Sequence, residues 1–242
     1  MVNRLPCFVM PLARPILIET MPPTKKRGVG SPSPLDFDPA EAVAALSRAD
    51  RRMAGLIRRA GPFTMQPEPS QSPFDALLKS ITHQQLAGKA AITIHSRVLD
   101  LLPRQRGKKP RAVLDLSDDD LRGAGLSRAK VAAVKDLAAK TLDGVVPTMA
   151  KLRKMDDETI TQRLTAVRGV GVWTVQMLLI FRLGRADVLP VADYGVQKGF
   201  MLTYKTDDLP RPAELTKKAQ AWRPFRSVAS WYLWRAVDLD RQ

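Results

Sequence analysis

Cysteine and histidine are almost absent from this chain of 242 residues. Its one cysteine, Cys7, cannot form an internal disulfide, an iron–sulfur cluster or a thiolate zinc site. The two histidines, His83 and His95, leave little for a histidine-based metal site or catalytic triad. Enzyme classes built on these centres are therefore excluded.

Long hydrophobic runs are also missing. No stretch approaches the roughly eighteen uninterrupted apolar residues that a membrane span needs, which excludes an integral membrane protein. Hydrophobic residues nevertheless make up 45% of the chain. That is enough for a well-filled core of one large domain or two small ones.

Acidic residues are few relative to basic ones. The 39 lysines and arginines outnumber the 24 aspartates and glutamates, and the formal net charge is +15. Basic side chains that neutralise phosphates release condensed counterions, so this charge favours a nucleic-acid partner. A basic protein that is merely soluble is the alternative.

The chain divides into a tail and a helical region. Residues 1–35 contain seven prolines and several basic residues, which predicts a disordered or loosely attached tail. Residues 36–242 carry repeated helix signals. No stretch alternates hydrophobic and polar residues with period two over a length that would predict a strand. We predict an all-α fold with a first helix from Asp38 to Gly61 and a basic loop over 104–111. The other expected helix caps are Ser72, Ser117, Ser127, Thr148 and Asp156.

A glycine-rich turn lies between two helical stretches near the middle of this region. One helix is expected to end at Ala166 or Val167 and the next to start at Val172, with the turn formed by Arg168, Gly169, Val170 and Gly171. Such a helix–hairpin–helix brings the main chain close to a backbone phosphate, which amide N–H groups hold without reading sequence. Its carbonyls are also candidate ligands for a monovalent cation that bridges to the phosphate, namely those of Thr165, Val167 and Val170. An ordinary corner between two helices is the alternative.

A second feature follows about twenty residues after the turn. Pro190 breaks the chain, and Asp193 stands where the next helix should begin, with Tyr194 after it. Taken alone, an aspartate in this place is a helix N-cap. Together with the hairpin it resembles the helix–hairpin–helix DNA glycosylase superfamily, in which a glycine- and proline-rich loop ends in an essential aspartate. Within that superfamily the chain is most similar to the DNA-3-methyladenine glycosylase II family.

Two further segments resemble the same family. One is 222–227 together with 231–234, and the other is 81–90. With the hairpin and Asp193 between them, the resemblance covers roughly residues 70–236. The chain departs from bacterial members that carry an N-terminal antiparallel sheet domain, and it is similar to the compact, all-helical branch. The resemblance implies a two-lobed helical bundle, over 36–242, with a cleft between the lobes.

The implied activity is that of a monofunctional DNA glycosylase. It would flip alkylated purines, such as 3-methyladenine and 7-methylguanine, out of duplex DNA and hydrolyse the N-glycosidic bond. Asp193 would be catalytic, and Trp173, Tyr194 and Trp234 would bind the electron-poor base. Flipping the base out leaves a gap in the base stack, and the side chain that fills it, the wedge, would come from Gln84, Gln85 or Leu86. Core packing is the alternative for the tryptophans, and local hydrogen bonding at a helix end is the alternative for the glutamines.

The resemblance also sets limits on the chemistry. Bifunctional relatives carry a Schiff-base lysine just after the hairpin, where this chain reads Val172-Trp173-Thr174, so no lyase activity is expected. The resemblance implies that no cofactor is required, and the hairpin is a candidate site for a structural Na⁺ or K⁺. We expect a monomer that acts on double-stranded DNA without membrane contact, in the bacterial cytoplasm or, in a eukaryote, the nucleus. A non-catalytic helix–hairpin–helix protein that binds damaged or branched DNA is the alternative.

Overall fold

The computed structural model describes residues 35–68, 72–86 and 88–241, so the predicted tail up to residue 34 lies outside the described residues. The described ranges are helical and contain no strand, which confirms the all-α prediction. None of their helices is long and apolar enough to cross a membrane. The helices are α1 Pro39–Ala49, α2 Arg51–Ala60, α3 Pro73–His83, α4 Gly88–Asp100, α5 Lys109–Asp115, α6 Asp118–Gly123, α7 Arg128–Leu142, α8 Met149–Leu152, α9 Asp157–Thr165, α10 Val172–Leu178, α11 Tyr194–Tyr204, α12 Pro212–Lys218 and α13 Arg226–Asp240, with 3₁₀ turns at Arg106–Lys108 and Ala219–Trp222 and a π-helical turn at Leu179–Leu183.

Helix N-caps are the best predicted feature of the fold. The Asp38 carboxylate accepts a hydrogen bond from the Ala40 amide at 2.8 Å. Ser117 forms a capping box with Asp120, in which each side chain bonds the other residue's backbone N–H. The remaining predicted caps, each of which accepts from the amide three residues on, are Ser72, Ser127, Thr148 and Asp156.

The predicted first helix is in fact two helices, because the chain breaks at Asp50. One Asp50 oxygen caps α2 through the amides of Arg52 and Met53, at 3.0 and 3.1 Å. The other accepts from the Tyr204 hydroxyl, and Lys218 pairs with it at 2.9 Å. Burial alone would raise the pKa of Asp50, but these hydrogen bonds hold it at about 2. A buried, ionised carboxylate therefore ties α2 to the C-terminal part of the chain.

The predicted basic loop over 104–111 is also partly wrong. It contains the 3₁₀ turn, and α5 begins within it at Lys109. The Lys109 ammonium pairs with Asp75 at 2.8 Å. Pro110 stands in the first turn of α5, where its missing N–H has no helical partner to lose.

The helices pack in two groups. In the first, α7 contacts α3, α5 and α6, and α10 contacts α9 and α3. In the second, α13 contacts α1, α2 and α11. The second group thus combines the first helices of the described chain with the last, and α11 begins at the boundary between the groups.

The contact between α11 and α13 depends on two glycines. A Cβ added to Gly199 would lie 1.9 Å from the Leu233 carbonyl oxygen, and one added to Gly195 would lie 2.7 Å from Trp234 Cδ1. The two backbones can approach this closely only because both positions lack a side chain. Trp222, Phe225 and Trp231 are also buried in the core.

Candidate active site and nucleic-acid interface

Asp193 is the N-cap of α11, and its carboxylate accepts three hydrogen bonds. Its Oδ1 accepts from the Val196 amide and from Trp234 Nε1, both at 2.8 Å. Its Oδ2 accepts from Trp173 Nε1, also at 2.8 Å. An N-cap needs only the bond to the backbone amide, so the two indole bonds require another explanation.

These three bonds fix the carboxylate at the boundary between the two helix groups. Trp173 comes from α10 in the first group, whereas Trp234 comes from α13 in the second. A carboxylate has about four lone-pair positions, so three donors leave room for one further partner on Oδ2. Asp193 is only half-buried, so part of the residue is in contact with solvent.

The three predicted base-binding residues differ in exposure. Trp234 is 9% exposed, and its ring stacks on Phe181 with ring centroids 5.6 Å apart. Trp173 is half-buried, and Tyr194 is 38% exposed. Trp234 therefore fits the core-packing alternative, while its N–H still reaches the site. Trp173 and Tyr194 keep surface that a ligand can contact.

Asp187 lies close in sequence but serves a different purpose. Its carboxylate accepts from the Arg226 guanidinium at 2.6 Å, and Arg223 approaches it at 3.3 Å. These ion pairs join the loop before Asp193 to the start of α13. These contacts give Asp187 a structural role.

The hairpin forms where it was predicted. Gly169 has a φ of 78°, in the left-handed region that favours glycine. Gly171 precedes α10 without a side-chain cap hydrogen bond, so the first amides of that helix face no capping side chain. Val170 is buried, and its amide donates to the Val167 carbonyl at 3.0 Å, which closes the turn.

Side chains of helix α7 form hydrogen bonds to the backbone of the hairpin. Asp136 accepts from the Arg168 amide at 2.7 Å and pairs with the Lys140 ammonium at 2.8 Å. The same ammonium donates to the Ala166 carbonyl at 2.5 Å. The sequence gives no local sign of these contacts, since Asp136 and Lys140 read as a solvent-exposed i,i+4 ion pair.

The segment predicted to carry the wedge follows α3. Gln84 does not point freely outward, because its side-chain amide donates to the Gly169 carbonyl at 2.8 Å. Gln85 has a φ of 57°, and both it and Leu86 are exposed. The Lys130 ammonium donates to the carbonyls of Thr82 and Gln84. The structure thus brings the wedge segment and the hairpin together.

The two histidines lie beside this segment. Thr82 Oγ1 is 3.0 Å from His95 Nδ1, and the rings of His83 and His95 are 5.3 Å apart. Burial lowers the pKa of His95 to about 4, and the neighbouring charge of His83 acts in the same direction. His95 is therefore neutral at physiological pH and adds no charge to the surface.

The profile of a known family matches residues 78–224, and its description is HhH-GPD superfamily base excision DNA repair protein. The chain belongs to this superfamily. The matched range contains the wedge segment, the hairpin and Asp193, and it ends before Trp234. The family predicted from the hairpin and Asp193 is confirmed.

Individual members of the superfamily match over most of their length. DNA-3-methyladenine glycosylase 1 of Schizosaccharomyces pombe is 30% identical over 207 residues, which is 82% of this chain and 91% of the relative. The structure of a 3-methyladenine DNA glycosylase from the same organism, in complex with abasic DNA, has a TM-score of 0.71 and 31% identity over 80% of this chain and 95% of the other. A DNA-3-methyladenine glycosidase from Bacillus halodurans has a TM-score of 0.73 and 32% identity over 86% and 93%.

Proposed function

We propose that this protein is a monomeric, monofunctional DNA glycosylase that removes alkylated purines such as 3-methyladenine and 7-methylguanine from double-stranded DNA. The observation that carries the proposal is the Asp193 carboxylate, held by two indole N–H groups near the hairpin. The printed names of the relatives support the substrate class.

The proposed chemistry needs little from the protein beyond a fixed negative charge. An alkylated purine already carries positive charge, so it leaves with the bonding electrons as a neutral base. The sugar becomes an oxocarbenium-like cation, which the Asp193 carboxylate stabilises. Water then adds to the anomeric carbon and loses a proton. The remaining lone pair on Oδ2 is suited to orient that water.

The aromatic residues divide into two roles in this proposal. Trp173 and Tyr194 have accessible surface and supply stacking and cation–π attraction for the electron-poor base. Trp234 is assigned to orienting Asp193, because its ring is packed against Phe181 and its N–H is bonded to the carboxylate. This differs from the base-binding role predicted for Trp234 from the sequence.

The DNA backbone is held by the hairpin in this proposal. The amides of Gly169 and Gly171 bind a phosphate without reading sequence, whereas the Val170 amide already donates to the Val167 carbonyl at 3.0 Å. The neutral carbonyl oxygens of Thr165, Val167 and Val170 are donors of the kind that hard cations take, and Na⁺ or K⁺ bound there would add positive charge toward the phosphate. The exposed pair Gln85 and Leu86 supplies the wedge.

We expect base release without strand scission. Purified protein is incubated with duplex DNA treated with a methylating agent, and free bases are identified by chromatography. Free 3-methyladenine or 7-methylguanine should appear while strands stay intact until alkali is added, since no lysine occupies 172–174. A borohydride-trapped protein–DNA adduct would contradict this mechanism. Tight binding with no base released would favour the non-catalytic module instead.

Binding to undamaged duplex should weaken steeply with salt. If the net charge of +15 and the hairpin together neutralise about six phosphates, affinity falls by about 10³ between roughly 50 and 200 mM salt. Fluorescence anisotropy with a labelled duplex, repeated over a salt series, measures the log–log slope. A flat response would show that phosphate contacts do not dominate binding.

A further inference from the structure

Two segments far apart in sequence meet at the proposed DNA-binding surface. The Gln84 side-chain amide donates to the Gly169 carbonyl across 85 positions of sequence. Gly169 belongs to the turn that would hold a phosphate, and Gln84 directly precedes the exposed Gln85 and Leu86. One hydrogen bond therefore connects the turn proposed to bind a phosphate to the segment proposed to carry the wedge.

Helix α7 supports both segments at once. Lys130 donates to the carbonyls of Thr82 and Gln84 at 2.8 and 2.7 Å. Three residues on, Ala133 lies against the hairpin, since a Cβ on Gly169 would be 3.3 Å from its methyl carbon. Asp136 then holds the Arg168 amide. A single rigid helix thus fixes the distance between wedge and hairpin.

The backbone at the wedge shows why such support is needed. Gln85 adopts a φ of 57°, a left-handed conformation that residues with a Cβ rarely take. A conformation of this kind persists only when its surroundings determine it. The residue before Gln85 is held by the hairpin carbonyl through its side chain and by Lys130 through its backbone.

We propose that Gln84 and Lys130 are positioning residues, which fix Gln85 and Leu86 relative to the hairpin. When the hairpin binds a phosphate of the DNA backbone, the wedge then lies at the base stack. Gln84 then does not enter the DNA itself. This inference rests on the proposed function and assigns the roles within the predicted wedge segment.

In this arrangement the Lys130 ammonium binds carbonyl groups of the protein rather than DNA phosphates. Its ammonium is half-buried with two carbonyl partners, and desolvation lowers its pKa. Replacing a lysine that contacts phosphate reduces the salt slope of DNA binding by about one. Lys130→Met should leave that slope unchanged while it impairs extrusion of the base.

The test compares Gln84→Met and Lys130→Met with the unchanged protein and with the control Lys135→Met. Lys135 lies on the same helix, and its ion pair among the described residues is with the largely exposed Asp118. Single-turnover excision is measured on one lesion in duplex and in single-stranded DNA. We expect duplex excision to slow about tenfold, as befits the loss of one or two hydrogen bonds, with a far smaller change on single strands. The control should match the unchanged protein on both.

A double variant separates positioning from a general structural role. If Gln84 acts only through the wedge, Gln84→Met should add little to the loss caused by replacing Gln85 and Leu86 together with alanine, so the effects on duplex excision are not additive. Full additivity, equal loss on both substrates, or no loss in either single variant would overturn the proposal.

A readout without catalysis keeps this inference distinct from the proposed function. A duplex with an abasic site beside 2-aminopurine reports insertion of the wedge as a rise in fluorescence. The unchanged protein should give the rise, and Gln84→Met should reduce it at saturating protein. An undiminished rise in that variant would overturn the positioning role even if base release is normal. Absence of base release by the unchanged protein would contradict the proposed function alone.

Discussion

Asp193→Asn should lower the rate of base excision by about 10²–10³ or more, while DNA affinity stays close to that of the unchanged protein. Losses of this size are typical when one preorganised electrostatic group is removed from a site. The amide keeps the shape of the carboxylate but not its charge. Single-turnover excision of 3-methyladenine or 7-methylguanine measures the effect, with anisotropy for affinity and a melting curve for stability.

The hydrogen bonds of Asp193 show which control this substitution needs. Asparagine caps a helix about as well as aspartate, so the bond from the Val196 amide can persist. Its oxygen cannot take the place of both carboxylate oxygens, and the NH₂ group would then face the Trp173 N–H. The loss of that bond should cost about 1–3 kcal/mol of stability. Trp173→Phe removes the same donor without removing the charge.

The two variants together separate charge from geometry. We expect the Asn variant to lose far more excision activity than the Phe variant at similar melting temperatures. If Asp193 were only an N-cap, excision by the Asn variant would remain near normal. Equal losses in both would place the effect in the Trp173 indole, through its bond to Asp193 or its stacking on the base, rather than in the negative charge.

The features that could be predicted from sequence are those set by nearby residues. Ser117 and Asp120 form a capping box within four positions, and Gly169 supplies the left-handed φ that its own turn requires. Such interactions are complete within one helix turn, so their residue types are sufficient evidence. Asp193 was placed correctly as a cap for the same reason.

The features that could not be predicted depend on distant partners. Asp50 stands in a polar stretch that reads as the exposed face of one long helix, and only its bonds to Tyr204 and Lys218 explain the break. The bond between Gln84 and Gly169 likewise joins segments with no shared pattern. A side chain's partners across the fold are decided by packing, which periodicity along one segment does not encode.

The glycines of α11 are a further case, and they lead to the largest expected effect on stability. Gly199→Ala should destabilise the protein by about 3 kcal/mol or more, at the upper end of the cost of overpacking a core. The added Cβ would lie 1.9 Å from the Leu233 carbonyl oxygen, and backbone atoms cannot move aside as a flexible side chain can. Helices α11 and α13 would have to separate, which would also displace Trp234 from Asp193.

Gly55→Ala is the matched control, because Gly55 also lies inside a helix. Among the described residues, its added Cβ would come near the end of the Arg58 side chain, at 3.9 Å. Removing a glycine from a helix interior should therefore stabilise by up to about 1 kcal/mol. Urea unfolding of both variants measures the difference. If Gly199→Ala proved as stable as the unchanged protein, α11 and α13 would not be in backbone contact, and the geometry that places Trp234 on Asp193 would have to be revised.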